Sequence, residues 1–125
     1  MSFTSPIHRE RFAKMAHQDG MFPYDVERAS LFFIITGNDD LYKKRNHIYH
    51  TEEHGICLCL ECQDVDFSSS GRALIRLGFN LYNGWSDSRT TPISILGCLD
   101  SQNLLLAEIA FKIRFQYGFW KSVKY

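Results

Sequence analysis

The sequence predicts an all-α protein: a compact, single-domain bundle of five to six helices covering residues 1–125, with room for one short strand near residues 55–61. Three observations lead there. Cap residues followed by apolar runs and stopped by glycine recur along the chain. The run Leu31–Ile35 is uninterrupted apolar sequence between a capping Asp25 and Gly37. The segment Ser68–Gly84 is apolar nearly all round, as a helix buried in the middle of a domain would be. A length of 125 residues suits one domain, and 45% hydrophobic with 14% aromatic residues is enough for a core built largely from rings.

Ser5-Pro6 combines a cap with a proline in the first turn and opens a helix to about His17, with Ile7, Arg11/Phe12 and Met15/Ala16 on its inner side. His17–Tyr24 reads as a loop. Asp25 caps a helix over Val26–Thr36, with Gly37 as its stop. Asn38-Asp39-Asp40 starts a short helix to about Asn46. The stretch His47–Phe67 is the least regular, and Gly55–Glu61 fits a short strand. Ser68–Ser70 cap the long helix, and Gly84 ends it. After a turn at Trp85–Thr90, Thr91-Pro92 opens a short helix to about Leu99. Asp100 then caps a last long helix, Ser101–Tyr117, stopped by Gly118. The tail Phe119–Tyr125 is aromatic and basic. It either packs Phe119 and Trp120 back on the core or stacks on nucleic acid.

Lys+Arg and Asp+Glu both number 14, so the net charge is zero. That balance argues against bulk nucleic-acid binding, which draws on excess positive charge, and it leaves homo-oligomers open. The opening residues MSFTSPIHRERF lack the apolar segment of a signal peptide, and no run approaches a membrane span. Four cysteines in such a chain read as reduced thiols or metal ligands rather than as a disulfide frame. The expected location is the cytoplasm.

The helix over Ser68–Gly84 carries one polar line: Arg72, Arg76, Asn80 and Asn83 fall within about 80° of each other at about 100° per residue. Guanidiniums on a buried helix need partners, because an unpaired buried charge is costly. One reading is a ligand pocket: Arg72 and Arg76 hold phosphate, Asn80 and Asn83 take base or ribose edges, and Tyr82 and Trp85 stack, with Phe79 and Tyr42 as further walls. The other is an internal network with acids such as Asp39, Asp40, Asp64 or Asp66. A second constellation is His47, His50, His54, Cys57, Cys59 and Cys62. The expectation is no metal and no cofactor. If zinc binds, its ligands come from His50, His54, Cys57, Cys59 and Cys62, although Cys57-x-Cys59-x-x-Cys62 is not a paired zinc-knuckle spacing. Asp39 and Asp40 at a helix start serve that helix's free amides better than they serve magnesium. No nucleophile elbow and no glycine-rich phosphate loop is present, so no catalytic residue is assigned and the chain is expected not to be an enzyme.

A phenylalanine near a His-containing first helix, then DVERASLFFIITGNDDLY (Asp25–Tyr42), then VDFSSSGRALIRLGFNLYNG (Val65–Gly84) together resemble a family of small proteins of unknown function. That family occurs in Gram-positive bacteria and on their phages and mobile elements. The likeness runs from about Ile7 to Arg114. It departs at His47–Cys62, where the family has an acidic, proline-containing stretch, so these cysteines do not follow from it as shared ligands. The resemblance implies no reaction. Its mobile-element association implies an anti-defence role, with two forms. In the first, the protein sequesters a small anionic, nucleotide-type immune signal. In the second it is an inhibitor bound to a bacterial immune protein through acids such as Asp39, Asp40, Glu52, Glu53 and Asp64. A small zinc-stabilised interaction domain is a third alternative.

Overall fold

The computed structural model of the chain describes residues 3–22, 24–57 and 65–121. The first helix, α1 (Pro6–Asp19), starts at Ser5, whose hydroxyl accepts the His8 amide at 3.1 Å, and ends at Gly20 in the left-handed conformation, φ 66°. Asp25 accepts the Arg28 amide to open α2 (Val26–Thr36), and Asn38 accepts the Leu41 amide to open α3 (Asp39–Lys43). A single 3-10 turn (Arg45–His47) leads to a two-stranded hairpin, β1 (Tyr49–His50) and β2 (Gly55–Ile56). The strands are antiparallel, with Tyr49 opposite Ile56. Then follow α4 (Ser69–Asn83), α5 (Pro92–Leu96), α6 (Ser101–Phe115) and α7 (Tyr117–Lys121). The fold is mostly α, as the sequence implies, and no described helix is long and apolar enough to cross a membrane.

The core gathers around α2. Every residue from Ala29 to Thr36 is buried, so this helix has no solvent face over more than two turns. It packs against α1, α3, α4 and α6. Gly78 on α4 makes one close approach possible: a Cβ there would lie 2.8 Å from Leu31 Cδ1. Gly37 has a similar role. Its φ of −86° is ordinary helical backbone, so a left-handed stop is not the reason for glycine there. A Cβ at Gly37 would meet Leu106 Cδ1 of α6 at 2.3 Å and His8 Cε1 at 3.0 Å.

Four details differ from the sequence expectation. Helix α1 runs to Asp19, and its inner line is His8, Phe12, Met15, Ala16 and Asp19, while Ile7 is exposed. The line follows the i, i+4, i+7 spacing from a buried polar residue, which apolar pattern alone does not find. The third helix ends at Lys43 rather than near Asn46, and its continuation is the 3-10 turn. Helix α5 ends at Leu96 rather than near Leu99. The last long helix breaks at Gln116, φ −117° and ψ 79°, rather than at Gly118, and α7 makes a seventh helix among the described residues. Trp120 of α7 is buried, its ring 5.7 Å from that of Phe12, so this end of the tail does pack on the core. Of the strand expected over Gly55–Glu61, Gly55–Ile56 is strand, and residues 58–61 lie outside the described residues.

His8 joins α1 to the end of α2. Its Nδ1 accepts the Thr4 amide at 3.2 Å and lies 2.9 Å from the Thr4 hydroxyl, which fixes the proton on Nε2, and that N–H donates to the Phe33 carbonyl at 2.9 Å. Burial pulls its pKa down from 6.5 to about 4; the bond to Phe33 opposes this, and the Arg11 charge adds to it.

Two outcomes follow for stability. Gly78→Val should lower the unfolding free energy by ~1–3 kcal/mol through overpacking against Leu31, read by chemical denaturation. Because the folded-state pKa of His8 is depressed, the unfolded chain takes up its proton first as pH falls. The stability of neutral His8 is therefore complete above about 6.5 and drains away toward about 4. The stability difference between wild type and His8→Gln should narrow through that window by up to roughly 1.4 kcal/mol per pH unit. A constant difference would contradict the assignment.

Candidate functional site

Helix α4 supplies the charge of the site. Three helical turns of it are buried except at the polar line, so whatever sits on that line is held rigidly. Arg76 is 4% exposed and donates through Nε to both carboxylate oxygens of Asp87, at 2.9 and 3.2 Å. Asp87 lies in the turn after α4, which it also organises: its carboxylate accepts the Arg89 amide at 3.0 Å and the Thr90 hydroxyl at 2.8 Å. Burial alone would raise the Asp87 carboxyl, but the bonds from Arg76, Thr90 and Arg89 outweigh it and hold the group below the usual carboxylate range.

Beside this pair lies an open pocket of about 540 Å³. Arg72 and Arg76 reach it from α4, Arg89 from the turn, and Ile93, Ser94 and Cys98 from α5 and the residues just after it. Arg72 also donates through Nε to the Phe67 carbonyl at 3.2 Å, which braces it at the start of α4. The pocket thus combines three guanidiniums with an apolar lining that includes Ala73 and Ile93, and buried α4 supplies two of the three.

The sequence-predicted residues divide. Arg72 and Arg76 line the pocket; Asn80, Asn83, Tyr82 and Trp85 do not. Asn80 Nδ2 donates to the Trp85 carbonyl at 3.1 Å, and Asn83 Oδ1 accepts the Trp85 amide at 3.0 Å, so both amides close the chain reversal after α4. Trp85 stands edge-on to buried Phe79, with centroids 5.4 Å apart. Tyr82 donates its hydroxyl to the His54 carbonyl at 3.1 Å. Tyr42 lies between the Arg11 and Arg45 guanidiniums, 4.7 and 4.2 Å from its ring centre. Arg89 falls outside the helical line, in the turn two residues before the cap Thr91, where no periodicity marks it.

Among the described residues, Asp87 is an acid paired with Arg76, and the helical line did not single it out. Asp39 pairs with Arg11, which lowers its carboxyl below the usual range, and Asp40 pairs with Lys44 at 2.9 Å. In the His/Cys segment, His50 Nδ1 lies 3.5 Å from Glu53 and His54 Nδ1 lies 3.2 Å from Asp19. Cys57 is buried, and Cys59 and Cys62 lie outside the described residues, as does Asp64. Among the described residues, no three His, Cys, Asp or Glu side chains gather as a metal site needs.

A buried polar cluster was missed entirely. Asp19 ends α1 with its side chain fully buried. Tyr49 donates to it at 2.9 Å, His54 Nδ1 is at 3.2 Å, and Arg28 Nη1 is 3.4 Å from Oδ2. Burial, and then the bond to Asp19, push the Tyr49 hydroxyl above its usual range. An acid in the last turn of a helix opposes the helix dipole and calls for a cation, and that was the available signal. The cluster pins the hairpin to α1 and α2, and it holds His54 at a φ of 51°.

The chain belongs to a family of unknown function, DUF6075, which it matches over residues 1–124. No curated protein and no solved structure matches it.

Replacing Arg76 by Met should cost ~1–3 kcal/mol, less than breaking a fully buried pair, because the Asp87 carboxylate left without its charge partner is 30% exposed and water solvates part of it. Adding Asp87→Asn should recover part of that loss. A double-mutant cycle by denaturation measures the coupling, and additive losses would mean that the pair contributes nothing.

Proposed function

We propose that this protein is a non-catalytic binding protein that holds a small phosphate-type anion in the pocket lined by Arg72, Arg76 and Arg89. One observation carries the reading: three guanidiniums from two separate elements line a single open pocket. Arginine forks match the oxygens of phosphate in pairs, and the two α4 arginines start from a fixed backbone. The volume of about 540 Å³ falls within the range of small-molecule sites. Ile93, exposed beside the arginines, gives an apolar surface for the rest of the ligand.

In this reading the protein works in the bacterial cytoplasm for a phage or mobile element, and lowers the free level of a nucleotide-type immune signal. The resemblance to mobile-element proteins supports that finer statement. The arginine pocket supports the anion itself, since Tyr82 and Trp85 stand elsewhere.

Titration calorimetry with inorganic phosphate, pyrophosphate, and mononucleotides and cyclic nucleotides tests it. At least one of these should bind, and Arg89→Ala, at an exposed position, should weaken it about tenfold or more while leaving the fold intact. Failure of the whole panel, or an affinity indifferent to Arg89, would sink the reading.

A further inference from the structure

We infer that the outer face of α6 is the interface of a homodimer in which two copies of this helix pack antiparallel. Leu104, Leu105, Phe111 and Phe115 leave between 40% and 67% of their surface exposed on this one helix. Its opposite side is already committed: Leu106, Ala107, Ala110 and Ile113 are buried in the core. Helical spacing sets the four apolar residues on both flanks of Glu108 and Lys112. The Phe111 and Phe115 rings stack with centroids 6.4 Å apart, which makes a continuous aromatic ridge.

The charge order selects a second copy as the occupant. With a two-fold axis level with Ala110, Glu108 meets the partner's Lys112, and the same pair recurs across the axis. Leu105 lies level with the partner's Phe115, because each is five positions from Ala110, so the apolar flanks close over the charge pairs from both sides. A parallel pair would instead set Glu108 against Glu108 and Lys112 against Lys112. The face is therefore complementary to itself in one sense only, which is what an isologous contact requires. The zero net charge of the chain adds no long-range repulsion between copies.

Sedimentation equilibrium over a concentration series tests this, with the charge order as the discriminating probe. The wild type should dimerise. Glu108→Lys and Lys112→Glu should each raise the dimer Kd about tenfold or more, since each change turns two attractive contacts into repulsive ones. The double exchange, E108K with K112E, should return Kd to within about threefold of wild type, because it recreates both pairs in reverse. Phe115→Ser should give monomer. All three positions are exposed, so circular dichroism should stay unchanged. A wild type that remains monomeric overturns the proposal. So does a dimer indifferent to the single charge changes, or one that the double exchange does not restore.

Discussion

The burial of α2 on all sides is the constraint from which the rest of the structure follows. A helix without a solvent face must be enclosed by others, and α1, α3, α4 and α6 all take part in enclosing it. Enclosure at that density needs places where backbones come close. Gly78 and Gly37 provide two of them, one against α4 and one where α6 crosses the end of α2. At the end of α2 the Phe33 carbonyl accepts the Gly37 amide, and His8 adds a second donor from outside the helix. The same logic runs outward to α4. Because α4 is pressed against α2 along its apolar sides, its single polar line faces away from the core, toward Phe67 before the helix, the turn after it and the pocket beside it.

Much of this was legible in the residues. The caps Ser5, Asp25, Asn38, Ser68, Thr91 and Asp100 all accept the backbone amides that capping requires, and α2 and α4 fall where their caps and glycines put them. Caps are local, so local sequence reports them well. Two helix ends fell elsewhere. Helix α1 stops at the left-handed Gly20, a local signal three residues past His17, and Gln116 breaks the last long helix where the later glycine was the visible candidate.

The site was half legible for the same reason. A helical line showed that Arg72 and Arg76 stand together, and the pocket contains both. A line on one helix, however, says nothing about how far along it a cavity extends. Asn80 and Asn83 continue the line past the pocket and into the turn at Trp85. Arg89 and Asp87 come from a segment with no periodicity at all. Their places follow from the turn that Asp87 ties together, a three-dimensional fact with no one-dimensional trace.

The contact between Phe12 and Trp120 has a consequence for the order of synthesis. Phe12 is fully enclosed, yet one of the rings that enclose it belongs to the last helix. On the ribosome, α1 emerges well before α7, so a nascent chain carries an open aromatic face on α1 until Trp120 has been made. Shortened translation products of this protein would thus be sticky through their beginning, although what they lack is near their end.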